Sequence, residues 1–403
     1  MKILLATYWS IPHLGGVWNY LSQLKSRLVD LGHTVDIMGY GGENTYIQVS
    51  GREKTIPKER WSAYVYSTLQ KNSFPKIYSN HLVEYTEVQR YTYELAAAEF
   101  GLADYDIIHT HDVISTVALD RARPEGVPLI ATLHGLVSHE IRHQLTTIHK
   151  SPTSNLARAY FDEIERLGAS SADVTITANE WLQKILMEEF RVPEDKFEKL
   201  HYGFSVERFQ EEQAKPTTMQ TPPGKKVIIY AGRLIELKGV HYLIDALAAL
   251  KERDDWVCWI VGDGNRKQHL QAQVASLGLG DKVLFLGKRE DVPVLLKLAD
   301  ISVLPSLMDN QPLSVIESQV SSKPVIVTDA GGLPEMVEHD VTGLIVPKGD
   351  APALQGAIET LLEDDDYRSK LGEQAREWGL QHWSMDVGVE RLLEIYKRFA
   401  PDS

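Results

Sequence analysis

Arg233 and Lys238 stand five residues apart in Tyr230-Ala231-Gly232-Arg233-Leu234-Ile235-Glu236-Leu237-Lys238-Gly239, between an apolar run and a helical pattern that starts near Val240. Across such a strand-to-helix turn both cations reach one ligand at the helix N-terminus, where unpaired N–H groups and the helix dipole already favour an anion. Two fixed cations beside a helix end suit a diphosphate. Two surface cations flanking a glycine turn would read the same way. Asp309 and Glu317 form a second pair. Asp309 falls in the loop after the apolar run 301–304, and Glu317 eight residues later, on a helix expected to start near Pro312 or Leu313. The first carboxylate then sits at the mouth of a site and the second about one turn in, so that they accept from hydroxyls at two ends of one ligand. A carboxylate accepts well from a vicinal diol. The competing reading has Asp309 merely capping the helix.

His109, His111 and His134 each close a strand-like run, at the carboxyl edge where open α/β sheets bind ligands. Strand-end histidines also serve simply as backbone hydrogen-bonding partners. A rival chemistry is written in His139-Glu140-Ile141-Arg142-His143, which matches H-E-x-x-H, the zinc-hydrolase helix with two histidine ligands and a glutamate base. Against it, no long helix is expected there, no third ligand is evident, and Arg142 would put a cation beside the metal. Residues 50–100 are rich in aromatics, including Trp61, and residues 52–76 carry Arg52, Lys54, Lys58, Arg60, Lys71 and Lys76 against Glu53 and Glu59. A partly buried insertion with solvated charges explains that composition, and so does a face for a sugar or a membrane-surface acceptor.

The elements that must position these residues are short apolar runs alternating with amphipathic helical stretches. Strands are expected over 3–6, 34–38, 107–108, 128–133, 174–177, 227–230, 256–261, 283–286, 301–304 and 324–328, with helical spacing between most of them. That alternation implies right-handed βαβ crossovers and parallel, doubly wound sheets. Residues 210–226 interrupt it with almost no apolar side chains and three prolines, which is linker composition. The expected organisation is a first Rossmann-like domain over 1–205, a linker over 206–226 and a second domain over 227–384, with a helix from 385 to 403 at the end.

Composition bounds the function. The 403 residues carry 42 Lys plus Arg against 56 Asp plus Glu, a net charge of −14, and acidic groups predominate in both halves. A phosphate-backbone footprint for nucleic acid is therefore not expected. No apolar stretch approaches the ~20 residues that cross a bilayer, and Met1-Lys2 followed by so short an apolar run makes a poor signal peptide. The single cysteine, Cys258, excludes an internal disulfide and fits a reducing compartment, so a cytoplasmic protein is expected.

Taken together, Gly232-Arg233-x4-Lys238-Gly239, Gly262-Asp263-Gly264, Phe285-Leu286-Gly287, the Asp309-x7-Glu317 spacing, Gly331-Gly332-Leu333-Pro334-Glu335 and Thr342-Gly343-Leu344 resemble the C-terminal half of family-4 retaining glycosyltransferases. Gly15-Gly16, Leu31-Gly32-His33-x-Val35, Asp106-Ile107-Ile108-His109-x-His111 and Thr132-Leu133-His134-Gly135 are similar to the N-terminal half, and only residues 50–100 fall outside the likeness. The resemblance implies a GT-B fold: two Rossmann-like domains facing each other across a cleft, with a C-terminal helix crossing back to the first and a hinge that closes the site. It implies transfer of a hexose, glucose or N-acetylglucosamine first, from a nucleotide diphosphate sugar, UDP-linked by preference, to an acceptor hydroxyl with retention. Polysaccharide or glycoconjugate biosynthesis is the expected setting, and no metal or other cofactor is expected.

The resemblance also assigns residues. Arg233 and Lys238 would bind the donor diphosphate in place of a metal ion, Glu317 the ribose and Asp309 a sugar hydroxyl. Asn310 and the backbone N–H groups of Gln311, Leu313 and Ser314 would approach sugar and phosphate. Gly262 would line the site, and Lys288, with Gly287 and Arg289, would meet the base. From the first domain Gly16 would admit the phosphate to the backbone and His134 would sit beside the donor sugar, with His111 and Trp61 on the acceptor side. The acceptor stays open among a glycan, a lipid-linked sugar with peripheral membrane contact, and a small molecule. The family more often has Glu at position 309 and Gly-Phe where this chain has Asn310-Gln311, which reshapes the pocket. That departure keeps a silent sugar-binding relative in view beside the zinc hydrolase; a nucleotide-sugar epimerase, with a similar architecture, lacks support from these motifs.

Overall fold

The computed structural model describes residues 1–12, 16–50, 54–147 and 149–400. Gly15, Arg52 and Glu53, singled out above, lie outside the described residues. The chain separates into two compact units, one of Met1–Gly203 with Asp386–Ser403 and one of Phe204–Met385.

In the first unit β1 (Lys2–Ser10), β2 (Thr34–Gly41), β3 (Tyr46–Val49), β4 (Thr55–Pro57), β5 (Ile107–Thr110), β6 (Leu129–Leu133), β7 (Val174–Thr177) and β8 (Phe197–Lys199) form one sheet in the order β4-β3-β2-β1-β5-β6-β7-β8. β1 pairs in parallel with β2 and with β5, and Ile3, Leu4, Leu5 and Ala6 are fully buried. A strand covered on both faces must be apolar without alternation, which is what that run supplies. β3 and β4 pair antiparallel at the edge. The chain runs outward from β1 to β4 and then returns beside β1 as β5, so the order reverses between β1 and β5.

The aromatic stretch folds as the helices Lys58–Thr68 and His81–Phe100. Asn80 caps the second, its side chain accepting from the Leu82 and Val83 N–H groups, and Tyr93 and Phe100 turn into the core. The final helix, Met385–Phe399, buries Val389, Leu392, Ile395 and Tyr396, and it packs with the first unit from Asp386 onward.

The second unit holds β9 (Lys226–Ala231), β10 (Trp256–Val261), β11 (Val283–Gly287), β12 (Ile301–Leu304), β13 (Val325–Thr328) and β14 (Gly343–Val346), in the order β11-β10-β9-β12-β13-β14 and parallel throughout. Here the order reverses between β9 and β12. Residues 206–213 are not linker. They form the helix Val206–Gln213, and Val206 and Phe209 are buried in this unit's core together with Phe204. Three apolar side chains among glutamates and glutamines are enough to hold one helical turn after another against a core, although the composition around them reads as polar.

Candidate functional site

The loops after β9 and β12 lie side by side at the carboxyl edge of the second sheet, at its reversal point, where open α/β sheets take their ligands. The β9 loop ends in a 3-10 turn, Glu236–Lys238, and Gly239 then starts the helix Val240–Ala249. Gly239 has φ +64°, and a Cβ there would fall 1.9 Å from the Pro305 carbonyl oxygen of the β12 loop. Gly331, after β13, has φ +63° and lies so close beneath Asp309 that a Cβ would fall 1.8 Å from its carbonyl oxygen. Glycine is required at both places, by conformation and by contact. Between them these contacts fix the heights of Lys238 and Asp309.

Lys238 Nζ donates to Asp309 Oδ2 at 2.5 Å, with only 13% and 11% of the two side chains exposed. Ser306 Oγ donates to the same oxygen at 2.9 Å. Asp309 therefore does not cap the following helix: that helix, Leu313–Val320, has Pro312 at its cap position with no side-chain cap bond. Its first-turn N–H groups, those of Leu313 and Ser314, are left open by helix geometry. Asn310 and Gln311, in the loop before it, are buried. Glu317 lies on this helix, partly buried and without a hydrogen-bonding or ionic partner among the described residues, and burial pushes its carboxyl up to about 7. A half-buried carboxylate with no protein donor is well suited to hydroxyl groups of a ligand.

Arg233 is exposed, and no acceptor meets its guanidinium among the described residues. Its carbonyl accepts from the buried Tyr230 hydroxyl at 2.8 Å, which pins the turn. Gly262 serves the backbone: its N–H donates to the Gly287 carbonyl at 2.8 Å, and a Cβ would meet the Gly232 carbonyl oxygen at 1.9 Å. Lys288 is exposed just past β11, while Arg289 is held by Asp291 at 2.6 Å. Ser306, Tyr230 and Gly331 support the site although sequence reasoning gave them no such role. The only signal for Ser306 was its position three residues before Asp309.

In the first unit the three histidines gather at the ends of β5 and β6. His109 is fully buried, with Nδ1 on the Tyr396 hydroxyl at 2.6 Å and Nε2 on Thr132 Oγ1 at 2.7 Å. His111 Nδ1 lies 3.1 Å from His134 Nε2. Burial pushes His109 and His134 down to about 3 and His111 far below the usual range, so all three are neutral at pH 7. His111 is 1% exposed and lies behind His134, so it has no surface with which to touch an acceptor directly. Trp61 is likewise engaged, its Nε1 donating to Glu99 at 2.9 Å while its ring packs against the core. Gly16 opens the helix Gly16–Asp30 on the surface, with nothing within 4 Å of where a Cβ would stand.

The H-E-x-x-H residues lie on a helix of 11 residues, Val137–Thr147. One of the two histidines is engaged elsewhere: His139 Nε2 meets Glu189 at 2.7 Å, and Arg142 between them pairs with Glu189 and Asp162. Among the described residues no three His, Cys, Asp or Glu side chains gather as metal ligands. Nor, among those residues, is any helix long and apolar enough to cross a membrane.

Residues 14–208 match the Glycosyltransferase Family 4 model and residues 211–378 match Glycosyl transferases group 1. With two parallel α/β units and a C-terminal helix that rejoins the first, the chain belongs to the family-4 glycosyltransferases of GT-B fold, and it is a transferase. It is 24% identical to an uncharacterized glycosyltransferase of Methanocaldococcus jannaschii over 98% of either chain. Its fold is that of sucrose-phosphate synthase from Thermosynechococcus elongatus (TM-score 0.77, 21% identity, 100% of both chains). Anabaena HepE, solved in complex with UDP-glucose, is similar too (TM-score 0.67, 21% identity, 99% of this chain and 100% of that one).

Proposed function

We propose that this enzyme moves a hexose, glucose or N-acetylglucosamine, from its UDP-linked form to an acceptor hydroxyl with retention and without a metal ion. The observation that carries the reading is the Lys238–Asp309 pair, set with Arg233 on the adjacent loops after β9 and β12 at the reversal point of the second sheet, with Glu317 on the helix that follows. Arg233 and the N-terminus of the helix Leu313–Val320 would hold the diphosphate, and Lys238 would share itself between phosphate and Asp309. Glu317 would accept from the ribose hydroxyls, Asp309 from a sugar hydroxyl, and Lys288 would border the base. The bond from the anomeric carbon to the phosphate oxygen breaks with its electrons passing to the diphosphate, where fixed cations stabilise the developing charge. The acceptor oxygen bonds from the same face, and its proton passes to the departing phosphate. A likeness to a protein solved with UDP-glucose supports the donor, and one buried cysteine supports a cytoplasmic setting.

Calorimetric titration of UDP, GDP and ADP into EDTA-treated protein tests this reading. Selective UDP binding, followed by transfer from UDP-glucose or UDP-N-acetylglucosamine that survives EDTA, is the expected result. Preference for another base, or activity that vanishes with EDTA, would overturn the corresponding part.

A further inference from the structure

The hydrogen bond between His111 and His134 joins two neutral rings, so it contains one proton, and where that proton resides decides what His134 offers to a ligand. Two arrangements satisfy the 3.1 Å contact between His111 Nδ1 and His134 Nε2. In the first, His111 carries its proton on Nδ1 and donates it, which leaves His111 Nε2 a bare acceptor and obliges His134 to carry its own proton on Nδ1. In the second, His134 donates from Nε2, and His111 must carry its proton on Nε2. That Nε2 is buried without a hydrogen-bond partner. An orphaned buried N–H is disfavoured more strongly than an under-used acceptor, so the first arrangement is preferred.

The surroundings keep the two rings in register. His109 lies on His111 with centroids 4.2 Å apart, and both its nitrogens are satisfied by Tyr396 and Thr132, so it does not compete for the proton. The Tyr20 ring meets His111 at 5.9 Å and His134 at 5.6 Å, and Tyr202 lies 4.7 Å from His134. His134 Nδ1 has no protein partner among the described residues, and its ring is only partly buried.

We propose that His111 is a positioning residue that fixes His134 as the Nδ1–H tautomer, so that His134 presents a hydrogen-bond donor, not an acceptor, to a ligand oxygen at the ends of β5 and β6. Its kinetic consequence rests on the proposed transferase reading. Residues at the ends of β5 and β6 then act in series: the buried ring sets the proton and the half-exposed ring uses it.

The test is ¹⁵N NMR of the histidine-labelled full-length protein, with the His134 signals identified by their loss in His134→Gln. His134 is expected to be protonated on Nδ1, and His111→Phe to shift its proton toward Nε2. His111→Asn, whose amide NH₂ takes the place of Nδ1–H, is expected to restore the wild-type pattern. In steady-state transfer from UDP-glucose, His111→Phe should lose about tenfold or more in kcat with a smaller change in KM, and His111→Asn should recover most of it. Protonation of His134 on Nε2 in the wild-type protein, or a tautomer indifferent to His111→Phe, would overturn the proposal. The wild-type spectrum and His111→Asn decide the point even if His111→Phe fails to fold. Because the tautomer is read without turnover, a protein showing the expected spectrum but no sugar transfer would sink the donor reading and leave this assignment standing.

Discussion

Lys238 and Asp309 stand at 2.5 Å with little solvent around them. An ion pair at that depth gives up hydration for Coulomb energy, and removing one partner leaves the other charge exposed to a dry site. Arg233 is different: exposed and unpaired among the described residues, it costs the fold almost nothing to lose. Both Arg233→Ala and Lys238→Ala should slow transfer by about 10²–10³-fold, since each removes a cation from the leaving group, but only Lys238→Ala should also lower thermal stability. Single-turnover rates with melting curves separate the two, and wild-type rates in both variants would remove them from the site. Glu317, held up at about 7 by burial, keeps part of its proton at pH 6.5. Hydroxyl donors favour the ionised form and pull this value down on binding. UDP binding at pH 6.5 should thus release more protons from wild type than from Glu317→Gln, and calorimetry in buffers of different ionisation enthalpy reads the difference, cancelling the phosphate's own titration. Equal proton release from the two proteins would place Glu317 outside the site.

At the scale of elements, loops are aligned by close backbone contacts. Gly331→Ala would put a methyl group 1.8 Å from the Asp309 carbonyl oxygen at φ +63°, so the loops after β12 and β13 must part. The expected outcome is roughly 2–4 kcal/mol of lost stability, in the range of overpacking plus left-handed strain, and a larger relative loss of UDP affinity, both measurable by denaturant titration with and without UDP. In the first unit, Glu165, on the helix Ser154–Ser171, accepts from the Ser138 N–H at 2.8 Å, and that bond anchors the start of the helix after the His134 loop. Burial pushes this carboxyl up to about 7. A value raised in the folded state means that the fold holds the proton after the unfolded chain has released it. Stability from this group is therefore full below the unfolded value of about 4.5 and is lost as pH rises through about 7. Glu165→Gln removes the charge, so it should be on the order of 1–3 kcal/mol more stable than wild type at pH 8 and little different at pH 4.5; an equal shift at both pH values would deny the titration. Most of these elements were legible in the sequence, because β1, β5, β9, β10, β12 and β13 are buried on both faces and must be unbroken apolar runs. β3, β4, β8 and β14 were not: they lie at or next to the sheet edges, their burial is broken by partly exposed positions, and so no unbroken apolar run marks them.

At the scale of the molecule, the chain leaves the first unit at Gly203, completes the second, and returns to the first with its last helix. Val389, Leu392, Ile395 and Tyr396 of that helix are buried, and the Tyr396 hydroxyl completes His109. Removing residues 385–403 should lower the calorimetric transition of the first unit and leave that of the second nearly unchanged, since the second core, built around Trp256, Trp259 and Trp383, is closed without it. A common downward shift of both transitions would show that the units melt as one. Tyr396→Phe alone should cost about 1–2 kcal/mol, the price of an unmet buried nitrogen.

The sequence by itself determined the α/β class, the two-unit organisation and the candidates Arg233, Lys238, Asp309, Glu317 and His134, because each depends on local spacing and burial period. It also held the signs of the family, in motifs confined to strand ends. Only the tertiary structure decided that Lys238 and Asp309 bind each other, that Trp61 and His111 are engaged within the protein, that 206–213 is helix and not linker, and that His139 pairs with Glu189 and Arg142 with Glu189 and Asp162. Those outcomes depend on residues between 20 and 71 positions apart or on the core that a short helix meets, and no local pattern along the chain encodes which distant side chain a folded backbone will bring within hydrogen-bonding distance.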